Sequence, residues 1–401
     1  MISAERVRKQ ADAFHAESIR VRRHLHMHPE LSFSEKETAA FIAGELRAAG
    51  IEHTVGVAEH GIVATIGVDG AGIGRDAVAL RADMDALPIH EVDDRPYRSK
   101  TNGVMHACGH DGHMACLLTA AWILASLQEE LSGTVKLIFQ PAEERAPGGA
   151  QRMIDAGVLE SPRVSRVFGQ HVNTDLPAGS VGFASGLFMA SADEIYITVR
   201  GRGGHAAKPH RANDPVVIAS TLVVALQQLV SRNADPIVPS VLTFGRFVGD
   251  GAANVIPDSV ELAATFRTMD ETWRGEALDR LHRTTTDLAR SLGAEADVRI
   301  VPGYPAVVND PDATAFARSR AVEYLGDDRV VDLPPVMWAE DFAFYGRRRP
   351  SCFYNLGVRN DERGIVHPVH TARFDIEEDA LRFGSGLLAW IGIGAVESGS
   401  S

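Results

Sequence analysis

A dense cluster of metal-binding residue types stands directly before an apolar run in this chain. Met105–His113 holds three histidines, one cysteine and one aspartate in nine positions. The run from Met114 to Leu127 that follows is almost wholly apolar and predicts a buried helix. Residues two apart on an extended segment share a face, so we expect Cys108 and His110 to point the same way. The cluster is therefore predicted to lie at a strand-to-helix junction, with Asp111 near the helix N-cap.

The chemistry of this cluster favours a divalent metal ion over a purely structural role. A thiolate, an imidazole and a carboxylate together suit Zn, Mn, Co or Ni. A single buried cysteine or histidine is more often structural, so either residue alone would indicate core packing or helix capping. The density of such residues in Met105–His113 reverses that preference. Two ligands do not complete a metal site, so further ligands must come from other parts of the chain.

Length and composition limit the classes of protein to which the chain can belong. Its 401 residues exceed one ordinary hydrophobic core and favour two domains. The hydrophobic content of 45% and the charged content of 23% are typical of a soluble globular protein. The formal net charge of -13 argues against a nucleic-acid partner, which would require a basic face.

The same pass along the chain predicts a cytoplasmic protein without a membrane partner. The apolar runs are broken by glycine, proline or charge before they reach the length of a membrane span. The N-terminal residues contain no apolar stretch that resembles a signal peptide. Three cysteines do not form a disulfide framework, which favours a reducing compartment.

Successive predicted strands are followed by residues that can bind metal or carry protons. Asp83 and Asp85 follow one strand, Glu143 and Glu144 follow the next, and His171 lies near the end of a third. The strands alternate with predicted helices, which indicates an α/β domain with a mixed, largely parallel sheet flanked by helices. Because the carboxyl ends of parallel strands meet at one edge, we expect these side chains to converge there. The strands concerned are Ala77–Ala82, Gly133–Phe139 and Ser165–Val172.

Two other motifs are better explained by local structure than by ligand binding. The glycines within 69–74 precede a strand rather than a helix, so a hairpin turn is favoured over a nucleotide-binding loop. The alternating histidines of Arg22–His28 are far from acidic partners in sequence, which favours a structural role over a metal site. Ser34–Glu37 is typical of a capping box that opens a helix.

The pattern changes between residues 188 and 303. Predicted elements follow the order β-α-β-β-α-β, which is the split βαβ pattern of a ferredoxin-like α+β module. The module is complete in itself, so we interpret 188–303 as an inserted domain. Residues 1–187 and 304–401 would then form one discontinuous α/β domain.

Taken together, the motifs resemble the M20 family of metallopeptidases and amidohydrolases. The likeness is greatest to the branch of hippurate hydrolases, N-acyl-amino-acid amidohydrolases and auxin-conjugate hydrolases. It covers nearly the whole chain, and the blocks in this order are highly specific. They are Arg22–His26, Ala82–Pro88, Met105–His113, Phe139–Glu144, Gly201–Ala207, Asn254–Pro257, Glu340–Phe342 and His370–Asp375.

The resemblance implies a catalytic domain with two divalent metal ions (Mn, Zn, Ni or Co). Glu143 matches the family's general base. His367 lies near the last ligand position, but the spacing to the Arg-Phe-Asp block that follows favours His370. The positions that match the family's metal ligands are Cys108, His110, Glu144, His171 and His370.

The resemblance also implies that the inserted domain serves as a dimerisation and lid domain. His205 matches a histidine that, in the family, comes from the partner subunit and contacts the developing oxyanion. We expect Asn254 and Arg267 to bind a substrate carboxylate, although Arg267 could equally pair with a local acid. Asp85 is assigned to catalysis by orienting a ligand histidine, and Asp83 receives no role.

These expectations lead to a metal-dependent amidohydrolase that cleaves N-acyl amino acids. A dipeptidase- or aminopeptidase-like activity is the nearest alternative, and the Cys-Gly-His form of the ligand motif argues against it. A catalytically silent relative that only binds ligands is disfavoured by the intact Glu143–Glu144 pair. A dinucleotide-dependent oxidoreductase fails on the placement of the glycines within 69–74.

Overall fold

The computed structural model describes residues 2–67 and 76–398, and the hairpin turn predicted within 69–74 lies outside them. The chain divides into two compact units. Unit 1 comprises Met1–Gly186, Val308–Pro334 and Asp341–Ser401, and unit 2 comprises Leu187–Val307 and Pro335–Glu340. The last of these segments is held within unit 2 by main-chain bonds such as Ala190 N–H to Val336 O, 3.2 Å.

The regular elements are numbered in chain order. The helices are α1 (Ala4–Met27), α2 (Lys36–Ala48), α3 (His110–Ser126), α4 (Ala150–Asp155), α5 (Pro215–Leu226), α6 (Glu271–Ser291), α7 (Pro311–Leu325), α8 (Ala343–Gly346) and α9 (Ala380–Ser398). The strands are β1 (His53–Val57), β2 (Gly61–Ile66), β3 (Ala77–Asp83), β4 (Val135–Gln140), β5 (Val164–Pro177), β6 (Val181–Phe183), β7 (Gly186–Met189), β8 (Asp193–Arg200), β9 (Gly204–His205), β10 (Ser240–Val248), β11 (Val255–Ile256), β12 (Ser259–Thr268), β13 (Glu295–Pro302), β14 (Val307–Asn309), β15 (Val330–Asp332) and β16 (Ser351–Arg359).

Unit 1 is built on an eight-stranded sheet in the order β1-β2-β4-β3-β5-β16-β6-β15. Its centre, β4-β3-β5-β16, is parallel throughout, whereas β1-β2-β4 and β16-β6 are antiparallel. Every residue of β3 and β4 is buried, as expected for strands that are covered on both faces. Helices α1, α3 and α9 pack against one another, and α3 and α9 contact β3. The predicted mixed, largely parallel sheet flanked by helices is confirmed.

Helix α3 begins at His110, four residues before the predicted run, so the prediction that Cys108 and His110 share an extended segment is wrong. The physical reason is Gly109, which has a left-handed φ of 87° and forms the N-cap. A Cβ at Gly109 would lie 2.5 Å from Val172 Cγ2, so only glycine allows the chain to turn here without a clash. As a result, Cys108 lies before the turn and His110 lies on the helix.

The Arg22–His28 block connects α1 to α3. Arg22 and His26 are one helical turn apart, and both contact the Asp111 carboxylate, at 2.8 Å from Nε and 2.8 Å from Nδ1. Burial raises the pKa of Asp111, but the charges of Arg22 and His26 outweigh it, and the net effect is a lowered pKa. Asp111 is therefore paired with two basic side chains of α1 through one of its oxygens, Oδ2.

The capping box predicted at Ser34–Glu37 is wrong. Helix α2 starts at Lys36 with Glu35 as its N-cap, and no side chain of that cap bonds the helix. The helix N-terminus is instead capped by Glu30, whose carboxylate accepts the N–H groups of Glu37 at 3.2 Å and Thr38 at 2.8 Å. The Glu35 side chain points to another segment.

Unit 2 contains an antiparallel sheet in the order β10-β12-β8-β13. Helices α5 and α6 bury their apolar faces on it, so that Ile197 of β8, Leu222 of α5 and Leu281 of α6 share one core. The element order β8-α5-β10-β12-α6-β13 is the predicted split βαβ arrangement. A small separate sheet pairs β9 with β11, with His205 opposite Val255.

The helical run Pro215–Asn233 is long and apolar enough to cross a membrane by length and composition alone. The mean hydropathy of its most apolar stretch is 1.4, and 33% of that stretch is buried. Core helices pass the same test. In this run Ile218, Leu222 and Leu226 are buried in the core of unit 2.

Candidate metal centre

Unit 1 brings together all five residues predicted as metal ligands. Their ligand atoms form two groups of three that share Cys108, and within each group the atoms lie within 4.8 Å of one another. The first group is Cys108, His110 and His171, and the second is Cys108, Glu144 and His370.

Two of the three shortest distances in this cluster involve the thiol. Cys108 Sγ lies 3.3 Å from His171 Nε2 and 3.3 Å from His370 Nε2. His370 Nε2 lies 3.3 Å from Glu144 Oε1. His367 joins no such group within residues 2–67 and 76–398, so the geometry favours His370 at the last ligand position.

Two buried polar atoms show that the cluster suits a cation. His110 Nε2 and Glu144 Oε1 make no hydrogen bond within the described part of the chain, and they lie 3.9 Å apart. Buried polar atoms without partners are costly, because they have lost water and gained nothing in return. A divalent cation bound among these atoms would satisfy both, so the donor set fits a metal ion.

The hydrogen bonds made by Nδ1 fix the ring orientations of His110 and His171. His110 Nδ1 donates to the Asp85 carbonyl oxygen at 2.8 Å, and His171 Nδ1 donates to the Val172 carbonyl oxygen at 2.7 Å. A carbonyl oxygen can only accept, so each Nδ1 carries a proton and Nε2 is the ring nitrogen that faces the cluster and is available to a metal ion.

Asp85 contacts His110 Nδ1 through its backbone oxygen, and its carboxylate Oδ1 lies 3.3 Å from the same nitrogen. Its carboxylate accepts the N–H groups of Glu143 and Glu144, each at 2.9 Å, and the Ser32 hydroxyl at 2.6 Å. Asp85 thus links the segment that follows β3 to the pair of glutamates that follows β4.

The electrostatics of the cluster favour protonated forms of two of its residues. Burial, followed by the charges of Glu144 and Glu143, raises the pKa of the Cys108 thiol well above its usual range. Burial lowers the pKa of His110, but Asp83, Asp85 and Glu144 outweigh it and raise that pKa to about 10. Metal binding must displace both protons, so metal uptake and proton release are linked at this site.

Glu143 is buried next to the ligand cluster. One of its carboxylate oxygens lies within 4.8 Å of ligand atoms of both His110 and Glu144. The predicted general base is therefore adjacent to the predicted metal ligands without belonging to either group that contains Cys108.

Sequence reasoning missed the roles of Asp83 and His113. His113 Nδ1 donates to Asp83 at 2.6 Å, and its Nε2 accepts the Val172 N–H at 2.9 Å. Arg81 bonds Asp83 at 2.6 Å and Asp341 at 2.8 Å. Arg81 and Asp83 lie two apart on a wholly buried strand, and such charges require partners. That spacing was the signal available in the sequence.

In unit 2 the structure places His205 beside Asn254. His205 is exposed on β9, and its Nδ1 accepts the Ala207 N–H at 3.1 Å. The Asn254 carbonyl oxygen accepts the Ala206 N–H at 3.1 Å. The third predicted residue of this unit, Arg267, lies on β12 and donates to the Met337 carbonyl oxygen at 2.9 Å.

Comparison with known proteins decides the family. Residues 79–391 match peptidase family M20/M25/M40. The chain belongs to this family. It is 40% identical over 363 residues to N-acetyl-L-cysteine deacetylase of Bacillus subtilis, covering 90% of this chain and 84% of that protein. It is 38% identical over 370 residues to thermostable carboxypeptidase 2 of Saccharolobus solfataricus, covering 92% of each.

A solved structure is similar over the whole chain. The YXEP protein of Bacillus subtilis, described as a dinuclear metal-binding peptidase of the M20 family, has a TM-score of 0.81 and 35% identity, covering 96% of this chain and 99% of that one. The resemblance drawn from the sequence motifs is confirmed. This member of family M20 is a metal-dependent hydrolase of amide bonds.

Cysteine substitutions test the metal centre. We expect Cys108→Ala to reduce the bound metal by at least half, because Cys108 is the only residue common to both ligand groups. Cys116→Ala is the matched control. Its thiol is also buried, but it contacts the Leu381 carbonyl oxygen at 3.7 Å instead of the cluster. Metal content would be measured by elemental mass spectrometry after dialysis, and unchanged metal in Cys108→Ala would contradict the assignment.

Proposed function

We propose that this protein hydrolyses the amide bond of N-acyl amino acids, releasing a carboxylic acid and a free amino acid. The observation that carries the proposal is the placement of Glu143 beside two ligand groups that share Cys108. The N-acetyl-L-cysteine deacetylase among the relatives supports the substrate class.

We further propose that the centre would hold two divalent ions, with Cys108, His110 and His171 as one set of ligands and Cys108, Glu144 and His370 as the other. Thiolate, imidazole and carboxylate ligands in combination suit Mn, Zn, Ni or Co. The similarity to a dinuclear metal-binding member of the family supports this number. When bound, such ions lower the pKa of water and polarise a carbonyl group.

In this mechanism Glu143 is the general base. It accepts a proton from the attacking water and delivers that proton to the leaving amine. Glu144 holds metal, so the two adjacent carboxylates have separate tasks. Asp85 supports both roles by accepting the N–H groups of Glu143 and Glu144. His110 and His171 are oriented with Nε2 towards the centre because each Nδ1 donates to a backbone carbonyl oxygen.

The free carboxylate of the substrate requires a cation, and we assign this role to Arg267, with Asn254 as a second polar contact. Burial lowers the pKa of Arg267, and no carboxylate pairs with its guanidinium in the described ranges of the chain. A partly buried arginine without an anionic partner is suited to bind an anion. The alternative of a local acid for Arg267 finds no support.

We propose a homodimer formed through unit 2, in which the partner subunit supplies His205. The imidazole of His205 is exposed, as a group that acts on another subunit must be. Unit 2 also exposes apolar side chains: Val217 and Val224 on α5, and Val241 and Phe247 on the edge strand β10. Exposed apolar groups beside an unpaired strand edge are typical of a contact surface.

We also propose that the protein functions in the cytoplasm. Its three cysteines are free and buried, which suits a reducing compartment.

A peptidase activity is the second candidate function. The similarity to thermostable carboxypeptidase 2 favours it, because a carboxypeptidase also acts on substrates that end in a free carboxylate. The substrates of the two candidate activities differ in the acyl group that carries the scissile carbonyl, which is a simple acyl group in one and an aminoacyl group in the other. Substrates matched in their C-terminal residue therefore distinguish the two activities.

A substrate panel tests the proposed function. The protein, stripped with chelator, should be inactive and should regain activity when Mn, Co, Ni or Zn is added. We expect cleavage of N-acetyl and N-benzoyl amino acids to exceed that of dipeptides with the same C-terminal residue by at least tenfold. The same compounds capped as primary amides should react poorly, because Arg267 would have no carboxylate to bind. Faster cleavage of dipeptides would favour the peptidase.

The role of Glu143 predicts a separation of turnover from metal binding. Glu143→Gln should reduce kcat by about a hundredfold or more, because the amide cannot accept the water proton. Its metal content should remain that of the unaltered protein. Glu144→Gln, the neighbouring control, should lose metal as well as activity. Undiminished turnover in Glu143→Gln would remove Glu143 from the mechanism.

The shared site predicts complementation between inactive variants. His205→Ala and Glu143→Gln should each be inactive alone. Random exchange of equal amounts should restore about a quarter of the original activity, because half of the dimers then contain one intact site of two. Subunit exchange would be verified by native mass spectrometry with two tag lengths. Absence of rescue after verified exchange would argue that each subunit completes its own site.

A further inference from the structure

The two glutamates of the centre belong to a segment of three residues whose backbone N–H groups all donate to buried carboxylates. The Ala142 N–H donates to Glu35 Oε1 at 2.7 Å. The N–H groups of Glu143 and Glu144 donate to the two oxygens of Asp85, each at 2.9 Å. The turn after β4 is therefore held by two acidic residues from distant parts of the chain.

The backbone of this turn has an unfavourable conformation at Ala142. Its φ is 55°, in the left-handed region that residues with a Cβ rarely adopt. The Ala142 carbonyl oxygen accepts the Gly149 N–H at 2.9 Å. A Cβ at Gly149 would lie 1.8 Å from the Pro141 oxygen, so glycine is needed for this close approach. Hydrogen bonds to the N–H and to the carbonyl oxygen of Ala142 thus hold it in a backbone conformation that is intrinsically unfavourable for alanine.

Helix α2 does not need the Glu35 side chain. Glu35 is the N-cap residue, yet its carboxyl makes no cap bond, and Glu30 binds the N–H groups of Glu37 and Thr38 instead. Glu35 is fully buried, and its Oε2 has no hydrogen-bond partner among the described residues. A buried carboxyl that leaves one oxygen unsatisfied is not explained by stability alone.

The bond to Ala142 does not require a charged Glu35. Burial, followed by the charge of Asp85, raises the pKa of Glu35 to about 7. A neutral carboxyl retains an oxygen that can accept an N–H group, and so does the amide of glutamine. Replacement by glutamine therefore keeps the contact, whereas replacement by alanine removes it.

We propose that Glu35 is a positioning residue that holds Ala142 in its left-handed conformation and thereby directs Glu143 and Glu144 at the metal centre. The proposal rests on the roles of Glu143 and Glu144 given above. It explains why Glu35 turns away from its own helix.

Three variants at the start of α2 test this role. Glu35→Ala should lower kcat and the affinity for metal by about ten- to a hundredfold, with a much smaller change in KM. Glu35→Gln should stay within about threefold of the unaltered protein in both measurements. Glu30→Ala is the matched control. It removes a carboxylate that binds backbone N–H groups of the same helix, so it should lower the melting temperature but leave kcat unchanged.

A double variant addresses the conformation directly. Glycine adopts a left-handed φ without strain. Adding Ala142→Gly to Glu35→Ala should therefore raise kcat at least threefold above that of Glu35→Ala alone. The same comparison remains informative if Glu35→Ala alone does not fold, because the double variant should then fold and bind metal. Failure of the double variant to recover kcat or folding would overturn the proposal. Equal losses in Glu35→Gln and Glu35→Ala would also overturn it.

Metal titration separates this inference from the proposed function. If the unaltered protein binds metal but cleaves no N-acyl amino acid, the substrate proposal fails, and the affinities of the Glu35 variants still test the positioning role. If Glu35→Ala matches the unaltered protein in metal affinity and in kcat, the positioning role fails and the proposed function stands.

Discussion

The metal centre depends on the parallel pairing of β3 with β4 and β5. This pairing sets Asp83 opposite Gln140 and Arg81 opposite Gly169, so β3 and β4 end together beside the middle of the longer strand β5. The segments that follow β3 and β4 carry Asp85 and Glu144, and His171 lies within β5. Residues distant in sequence thus lie within a few ångströms of one another, where a cation can bind several of them together.

Buried charge makes that edge rigid. Arg81 lies between Asp83 and Asp341, and Asp83 in turn orients His113, which binds the backbone next to His171. Each of these groups would be costly in the core without its partner, so displacement of one strand end would break several pairs together. The ligands are therefore presented by a framework whose own polar groups are satisfied, while unsatisfied atoms are left at the centre itself.

Sequence patterns singled out candidate ligands that the structure brings together, because metal chemistry limits the choice of residue types. The Cys-Gly-His cluster and the adjacent glutamates were recognisable, and the structure groups them around Cys108. The local geometry at two positions was predicted wrongly. Gly109 starts α3 early through a left-handed turn, and Glu35 binds Ala142 instead of capping its helix. In both cases a contact with a distant segment outweighed the local preference.

The sequence by itself determined the element order, the apolar strands and the residue types that can bind metal, because these follow from periodicity and side-chain chemistry. Only the tertiary structure decided which buried group pairs with which. Glu35 and Ala142 are 107 residues apart, and Arg22 and Asp111 are 89 apart. Hydrogen bonds across such separations form because folding removes water from both partners. Local sequence patterns therefore do not predict which two groups will pair.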